Sequence, residues 1–271
     1  MPELPEVETV RRSLAAHVLG LKIVDVEIQH PGMVMGLDPE AFRRRMIGQT
    51  FADIERYGKY LAFRFESGAY WMAHLRMTGQ LIVTHERKPM SPHLRMAIVT
   101  HTGLVIQFID IRKFARAAFA PDRSSLLSLF RLGIEPLKKE FTVSALKSTL
   151  TGRARIKSAL LDQRRIAGLG NIYADEALFA AGIHPERRLH TLSEAEIARL
   201  HQAIETCLRA ALEHGGTTIR NFVQGEGKEG DYAARLAVYG RQGEPCKRCG
   251  TKLQKIAVGG RGTTFCPQCQ R

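Results

Sequence analysis

Acidic side chains are scarce in this chain. Its 27 Asp and Glu residues stand against 40 Lys and Arg, a formal net charge of +13. Such an imbalance favours a polyanionic partner, held by phosphate neutralisation and counterion release. Basic membrane-surface and ribosomal proteins share it, so charge alone leaves the partner open. Long apolar runs are also missing. No stretch approaches the roughly 20 residues that cross a bilayer, and no secretory leader precedes the first helical pattern. A cytoplasmic protein with no membrane partner is expected. Cysteine is sparse too, and four of the five fall in two close pairs near residue 271. That excludes a disulfide framework. There is no internal repeat and no extended low-complexity tract.

What is present divides by periodicity. Val7, Val10 and Leu14 recur at helical spacing after Pro5, and Gly20 closes the element. From Leu21 to about Phe119 the pattern is mainly strand. Val24, Val26 and Ile28 alternate, as do Leu61, Phe63 and Phe65. His101-Thr102-Gly103 marks a hairpin, and a short helix spans Pro39 to Ile47. Many short strands joined by turns imply an antiparallel sandwich or barrel. Helical periodicity follows, with helices expected near Val143–Leu150, Arg155–Asp162, Asn171–Ala181 and Ser193–His214. Ser193 and Glu196 fit a capping box on the last of these. Cys207 lies beside that helix's apolar stripe, as a packing residue. The fold class is therefore α+β in two domains. The expected boundaries are 1–125, strand-rich with a leading helix; 126–222, helical; 223–243, a glycine-rich mobile loop; and 244–271.

The last segment carries the firmest chemical signal. Cys246-x2-Cys249 and Cys266-x2-Cys269, sixteen residues apart, fit one tetrahedral zinc ion on four thiolates. Four cysteine ligands leave no open coordination position, so the metal is structural. No Asp or Glu occurs from 246 to 271, and Arg261 follows Gly259-Gly260 at a hairpin tip. An arginine raised there can reach a phosphate, or be a solvated turn residue.

Other stretches are weaker alone. Proline at position 2 favours removal of Met1, which would give Pro2 a free secondary amine, a candidate nucleophile, beside Glu3 and a helix N-terminus. Simple processing explains the same proline. Gly168-Leu169-Gly170-Asn171 sets a glycine turn against a helix, for capping or for an anion. Arg153, Arg155 and Lys157 add positive charge upstream. Lys59 stands at the start of a strand, while His74, Met77, Arg112 and Phe114 lie at or just after strand ends. Apolar side chains beside arginines suit a surface that fills the gap left by a base leaving a duplex, although each one singly is more often core or salt bridge.

Taken in order, Met1-Pro2-Glu3-Leu4-Pro5-Glu6, His74-Leu75-Arg76-Met77, Asp110-Ile111-Arg112-Lys113-Phe114, Gly168-Leu169-Gly170-Asn171-Ile172-Tyr173, Gly260-Arg261-Gly262-Thr263 and Cys266-Pro267-Gln268-Cys269 resemble the bacterial formamidopyrimidine-DNA glycosylase family. The resemblance implies an N-terminal β-sandwich, a helix–two-turn–helix domain and a zinc finger. It implies a bifunctional glycosylase and abasic-site lyase acting as a monomer on double-stranded DNA that contains oxidised purines. Pro2 would be the nucleophile and Glu3 the acid–base, supported by Glu6. Lys59 would serve β-elimination and Arg261 δ-elimination. Met77, Arg112 and Phe114 would fill the vacated stack, and His74, His93, Arg153, Lys157 and Asn171 would contact DNA. The loop near Gly225–Tyr232 would close over the extruded base. Two rivals are a sister endonuclease VIII type acting on oxidised pyrimidines, whose members usually begin Pro-Glu-Gly-Pro, and a non-catalytic protein that only binds damage.

Overall fold

A computed structural model describes residues 1–86, 91–217 and 230–271. The described chain forms two compact units, one of residues 1–131 with 214–231 and one of residues 132–213 with 232–271.

The first unit opens with α1 (Leu4–Val18). Pro5 occupies its first turn, where a missing N–H costs nothing, and Gly20 follows with φ 79°. The strands are β1 (Ile23–Ile28), β2 (Val34–Met35), β3 (Phe51–Tyr57), β4 (Tyr60–Phe65), β5 (Tyr70–His74), β6 (Gly79–Thr84), β7 (Leu94–Thr100), β8 (Val105–Asp110) and β9 (Arg116–Ala120). Helix α2 (Pro39–Met46), capped by Asp38, lies between β2 and β3, and α3 (Arg123–Ser128) follows β9. One sheet has the order β1-β7-β8-β6 and the other β2-β9-β5-β4-β3. Every pairing is antiparallel except β2 with β9.

Period-two patterning builds the sandwich. Leu61, Phe63 and Phe65 of β4 join Ile106 and Phe108 of β8 in one core, together with Val7, Val10 and Leu14 of α1. Trp71 stacks on Phe63 there at 4.2 Å between ring centroids. The alternation expected for β1 is corrected. A bulge between Ile23 and Asp25 turns Val24 outward and puts Ile23 and Val26 inside.

The second unit contains α4 (Val143–Thr149), α5 (Ile156–Leu161), α6 (Asn171–Ala181), α7 (Glu194–Glu213) and the hairpin of β10 (Gln254–Val258) and β11 (Arg261–Phe265). Helix α6 is buried on nearly every side, which suits a central helix. Helix α7 is amphipathic, with Ile197, Leu200, Ile204 and Leu208 inside. Its capping box is formed, with Ser193 N–H on Glu196 (2.8 Å) and Glu196 N–H on Ser193 Oγ (3.2 Å). Burial pushes the Cys207 thiol up to about 12, as expected of a packing residue.

The glycine-rich segment expected to be mobile needs a second correction. Its residues up to 229 lie outside the described residues, as does most of the expected base-closing loop. From Tyr232 onward, however, the chain is packed rather than a linker. Tyr232, Leu236 and Val238 are buried, and Glu176 accepts the N–H groups of Ala237, Val238 and Tyr239 at 2.8–2.9 Å.

Candidate active site and nucleic-acid interface

In the first unit, Pro2 and Glu3 are buried at the start of α1, with Glu3 as the N-cap. Glu6, one turn further on, is also buried and divides its two oxygens. Oε2 accepts the Glu3 N–H at 2.8 Å, while Oε1 accepts the N–H (2.9 Å) and hydroxyl (3.1 Å) of Thr217. Gly216 holds φ 85° beside this carboxylate, and a Cβ there would lie 2.8 Å from Glu6 Oε1. Only glycine suits both demands. Farther along α1, Arg11 donates to the Ile54 carbonyl (3.2 Å) and Arg56 to Glu8 (3.1 Å), tying α1 to β3.

Lys59 is buried in the two-residue turn between β3 and β4, one position ahead of the expected strand start. Gly58 supplies the positive φ (56°) that this turn requires. Its neighbour Tyr60 pairs with His74 across β4 and β5 and meets that ring edge-on at 4.4 Å. His74 Nδ1 accepts the Arg76 N–H (2.9 Å), so the ring is neutral with its proton on Nε2. Burial, then the charges of Arg76 and Lys59, push its pKa down to about 3.

The structure brings Met77, Arg112 and Phe114 together. Met77 is 39% and Phe114 43% exposed, unusual for large apolar side chains. Between them the Arg112 guanidinium lies 4.7 Å from the Phe114 ring centroid, and its Nη1 lies 3.1 Å from Met77 Sδ. The backbone beneath is strained. Arg76 and Lys113, neither a glycine, hold φ of 55° and 59°. His93 lies beside the same loop, its carbonyl accepting the Asp110 N–H (2.9 Å) and its ring 3.4 Å from Arg95 Nη2.

In the second unit, the four cysteine sulfurs lie within 4.8 Å of one another. Sγ of Cys246 is 4.0 Å from that of Cys269, and Sγ of Cys249 is 3.5 Å from that of Cys266. A zinc tetrahedron with Zn–S bonds of ~2.3 Å has edges of about 3.8 Å, so the four thiolates fit one zinc ion. Backbone N–H groups of Arg248 and Cys269 point at the sulfurs of Cys246 and Cys266 (3.4 Å each), as expected around thiolates. Gly259 and Gly260 both take positive φ (57° and 72°) between β10 and β11, the mirror-type turn of a two-residue hairpin. Arg261 follows, exposed.

Lys157 is corrected. Its side chain is fully buried, with Nζ donating to Asp175 Oδ1 (2.5 Å), Thr263 Oγ1 (2.7 Å) and the Gly262 carbonyl (3.3 Å). Asp175 Oδ2 accepts the Thr264 N–H (3.1 Å). An ammonium enclosed in this way cannot face a phosphate, and instead it fixes β11, and with it Arg261, on α5 and α6. Asn171 is the first residue of α6 rather than its cap, which is Gly170. Its Nδ2 reaches the Gly262 carbonyl at 3.0 Å, so it shares that anchor. Arg153 is exposed in the bend ahead of α5. Sequence reasoning missed the holding roles of Asp110, Asp175 and Glu176. The one available signal was a pair of adjacent acids inside an otherwise apolar helix.

Family models match along the chain. Residues 1–117 match the formamidopyrimidine-DNA glycosylase N-terminal domain, 132–223 the H2TH domain of the same glycosylases, and 243–271 a zinc finger found in FPG and IleRS. A formamidopyrimidine-DNA glycosylase of Pelotomaculum thermopropionicum is 44% identical, covering 100% of this chain and 99% of that protein. The Bacillus subtilis protein of that name is 43% identical over 100% and 99%. A structure of Lactococcus lactis Fpg with abasic-site DNA superposes with a TM-score of 0.92 at 37% identity, covering 99% of each chain.

This geometry has measurable consequences. The ring signals of His74 stay flat in an NMR titration from neutral pH to about 5, whereas a midpoint near 6.5 would contradict the burial argument. Because its folded pKa lies below its unfolded one, His74 costs stability progressively as pH falls through 6.5 toward about 3. Lys157→Met leaves Asp175 buried and unpaired, so denaturant titration should show a loss of about 3–5 kcal/mol. Arg153→Ala, by contrast, should lower the slope of log binding constant against log salt by about 1 with little loss of stability. Finally, elemental analysis should find one zinc per chain, and Cys266→Ser should lower it together with thermal stability.

Proposed function

The chain belongs to the formamidopyrimidine-DNA glycosylase family, base-excision enzymes that also cleave abasic sites, and we propose how its own residues divide that work. The substrate is double-stranded DNA carrying an oxidised purine such as 8-oxoguanine or a formamidopyrimidine, and the enzyme acts as a monomer on DNA in the cytoplasm. Among the described residues no helix is long and apolar enough to cross a membrane.

The observation that carries the reading is the start of α1, where Pro2 and Glu3 sit side by side and Glu6 holds the backbone between them. Removal of Met1 turns the Pro2 nitrogen from an amide into a secondary amine. That amine attacks C1′ of the extruded nucleotide, and the glycosidic electron pair leaves with the base, which takes up a proton. Ring opening gives an iminium between Pro2 and C1′. Glu3, buried beside the amine, serves as the proton carrier. The iminium acidifies the C2′ hydrogen, so its removal expels the 3′ phosphate. A second elimination expels the 5′ phosphate, and hydrolysis then frees Pro2.

Lys59 serves the first elimination from its rigid turn, and Arg261 serves the second and contacts phosphate. Met77 and Phe114 occupy the space left in the stack, while Arg112 reads the orphaned cytosine. His74, as a neutral Nε2–H donor, joins His93, Arg153 and Asn171 on the DNA backbone. The zinc ion, held by Cys246, Cys249, Cys266 and Cys269, is structural and supplies no chemistry.

Borohydride trapping on a duplex with 8-oxoguanine opposite cytosine tests this reading. Mature protein should form an adduct that maps to Pro2 and disappears in Pro2→Gly, and Glu3→Gln should slow excision by about 100-fold or more. Tight binding with no adduct, from protein beginning at Pro2, would leave only a damage-binding protein. An adduct confined to oxidised pyrimidines would indicate the endonuclease VIII type.

A further inference from the structure

Met77 and the Arg112–Phe114 pair belong to two separate segments, and where β6 and β8 meet beneath them a side-chain contact ties those segments together. The Thr78 hydroxyl donates to Asp110 Oδ1 and in turn accepts the Arg112 N–H at 3.2 Å. The same N–H reaches Asp110 Oδ1 at 3.1 Å, and Asp110 Oδ2 accepts the Ala115 N–H at 2.7 Å. The Asp110 carboxylate is fully buried. It therefore closes the 110–115 loop on itself and ties it to the residue next to Met77.

The surroundings leave this contact little freedom. A Cβ on Gly79 would lie 2.4 Å from the Leu75 carbonyl oxygen, so the turn carrying Met77 is drawn tight. On the other side, Arg95 Nε donates to the Asp110 carbonyl (2.8 Å), and Arg116 Nη1 to the carbonyls of Phe114 (3.1 Å) and Ala115 (2.9 Å). The positive φ values of Arg76 and Lys113 are unfavourable locally and persist only if something holds them.

We propose that Thr78 and Asp110 are positioning residues, a buried strut that fixes Met77 against Arg112 and Phe114 so that the three enter the duplex as one body. This rests on the glycosylase reading. The physical ground is preorganisation. Unstacking a base step costs a few kcal/mol, and side chains on loose loops would have to be ordered at that same moment. Thr78→Val keeps the shape but removes the donor to Asp110 Oδ1 and the hydroxyl that accepts the Arg112 N–H, so the two segments lose the side-chain link between them and Asp110 Oδ1 keeps only the Arg112 N–H.

The test is single-turnover release of 8-oxoguanine opposite cytosine by the full chain. Thr78→Val, Thr78→Ser, Arg112→Ala and the Thr78→Val/Arg112→Ala double variant are compared with the wild type, alongside lyase cleavage of a single-stranded abasic oligonucleotide. Thr78→Val should slow duplex release about tenfold, since a lost buried hydrogen bond is of that order. Thr78→Ser should remain within about twofold of wild type, and in the Arg112→Ala background Thr78→Val should cost less than about twofold. Single-strand cleavage, which has no stack to fill, should stay within about twofold of wild type for Thr78→Val and Thr78→Ser. The strut is refuted if Thr78→Val leaves duplex release unchanged, slows both substrates alike, or imposes its full cost on top of Arg112→Ala. Wild-type protein that releases no base would instead overturn the glycosylase reading, and the strut with it.

Discussion

A nucleophile near a chain terminus is useful only if the terminus is held, because terminal residues otherwise fray. Glu6 meets that constraint. Its buried carboxylate takes the backbone N–H of Glu3 on one oxygen and the backbone and hydroxyl of Thr217 on the other. The rest of the first unit supports this arrangement. Helix α1 seats Val7, Val10 and Leu14 in the sandwich core, so the start of the chain inherits the rigidity of two sheets. The glycine at 216 is the complementary half, since any side chain there would collide with the carboxylate that does the holding.

The same device recurs with other acids. Asp110 gathers backbone N–H groups under the Met77–Arg112–Phe114 surface, Asp175 fixes the strand that begins at Arg261, and Glu176 collects three consecutive N–H groups of the 237–239 segment. In a chain short of acidic residues, several of those present lie inside and shape loops. A buried carboxylate that accepts two or three N–H groups is well satisfied and specifies one loop geometry. Basic side chains facing a polyanion can then be presented from backbones that do not need to reorganise.

Much of this was legible in the sequence. Period-two and helical patterns placed the strands and α6, the cysteine spacing gave the metal site, and the ordered motifs pointed to the family. Side-chain direction was not legible. Lys157 reads as one more cation in a basic stretch, and only the fold shows that it points inward at Asp175, 18 residues away, and at Thr263, 106 residues away. Val24 was misplaced because a single-residue bulge reverses which neighbours face the core, and bulges have no strong local signature. The cluster of Met77 with Arg112 and Phe114 was visible only as scattered candidates, since 35 positions separate Met77 from Arg112. The strut beneath them involves an ordinary Thr and Asp, which carry no mark in one dimension.

The stack of Trp71 on Phe63 has a spectroscopic corollary. Trp71 is the single tryptophan of the chain, and it is fully buried in the core of the first unit. Emission selectively excited in indole therefore reports the melting of the β-sandwich and is silent on the helical unit with its cysteine cluster. A colorimetric chelator that follows released zinc reports the second unit alone. With these two signals the unfolding of each unit can be recorded in one sample without any label, and coincidence or separation of the two curves measures how cooperatively the molecule melts.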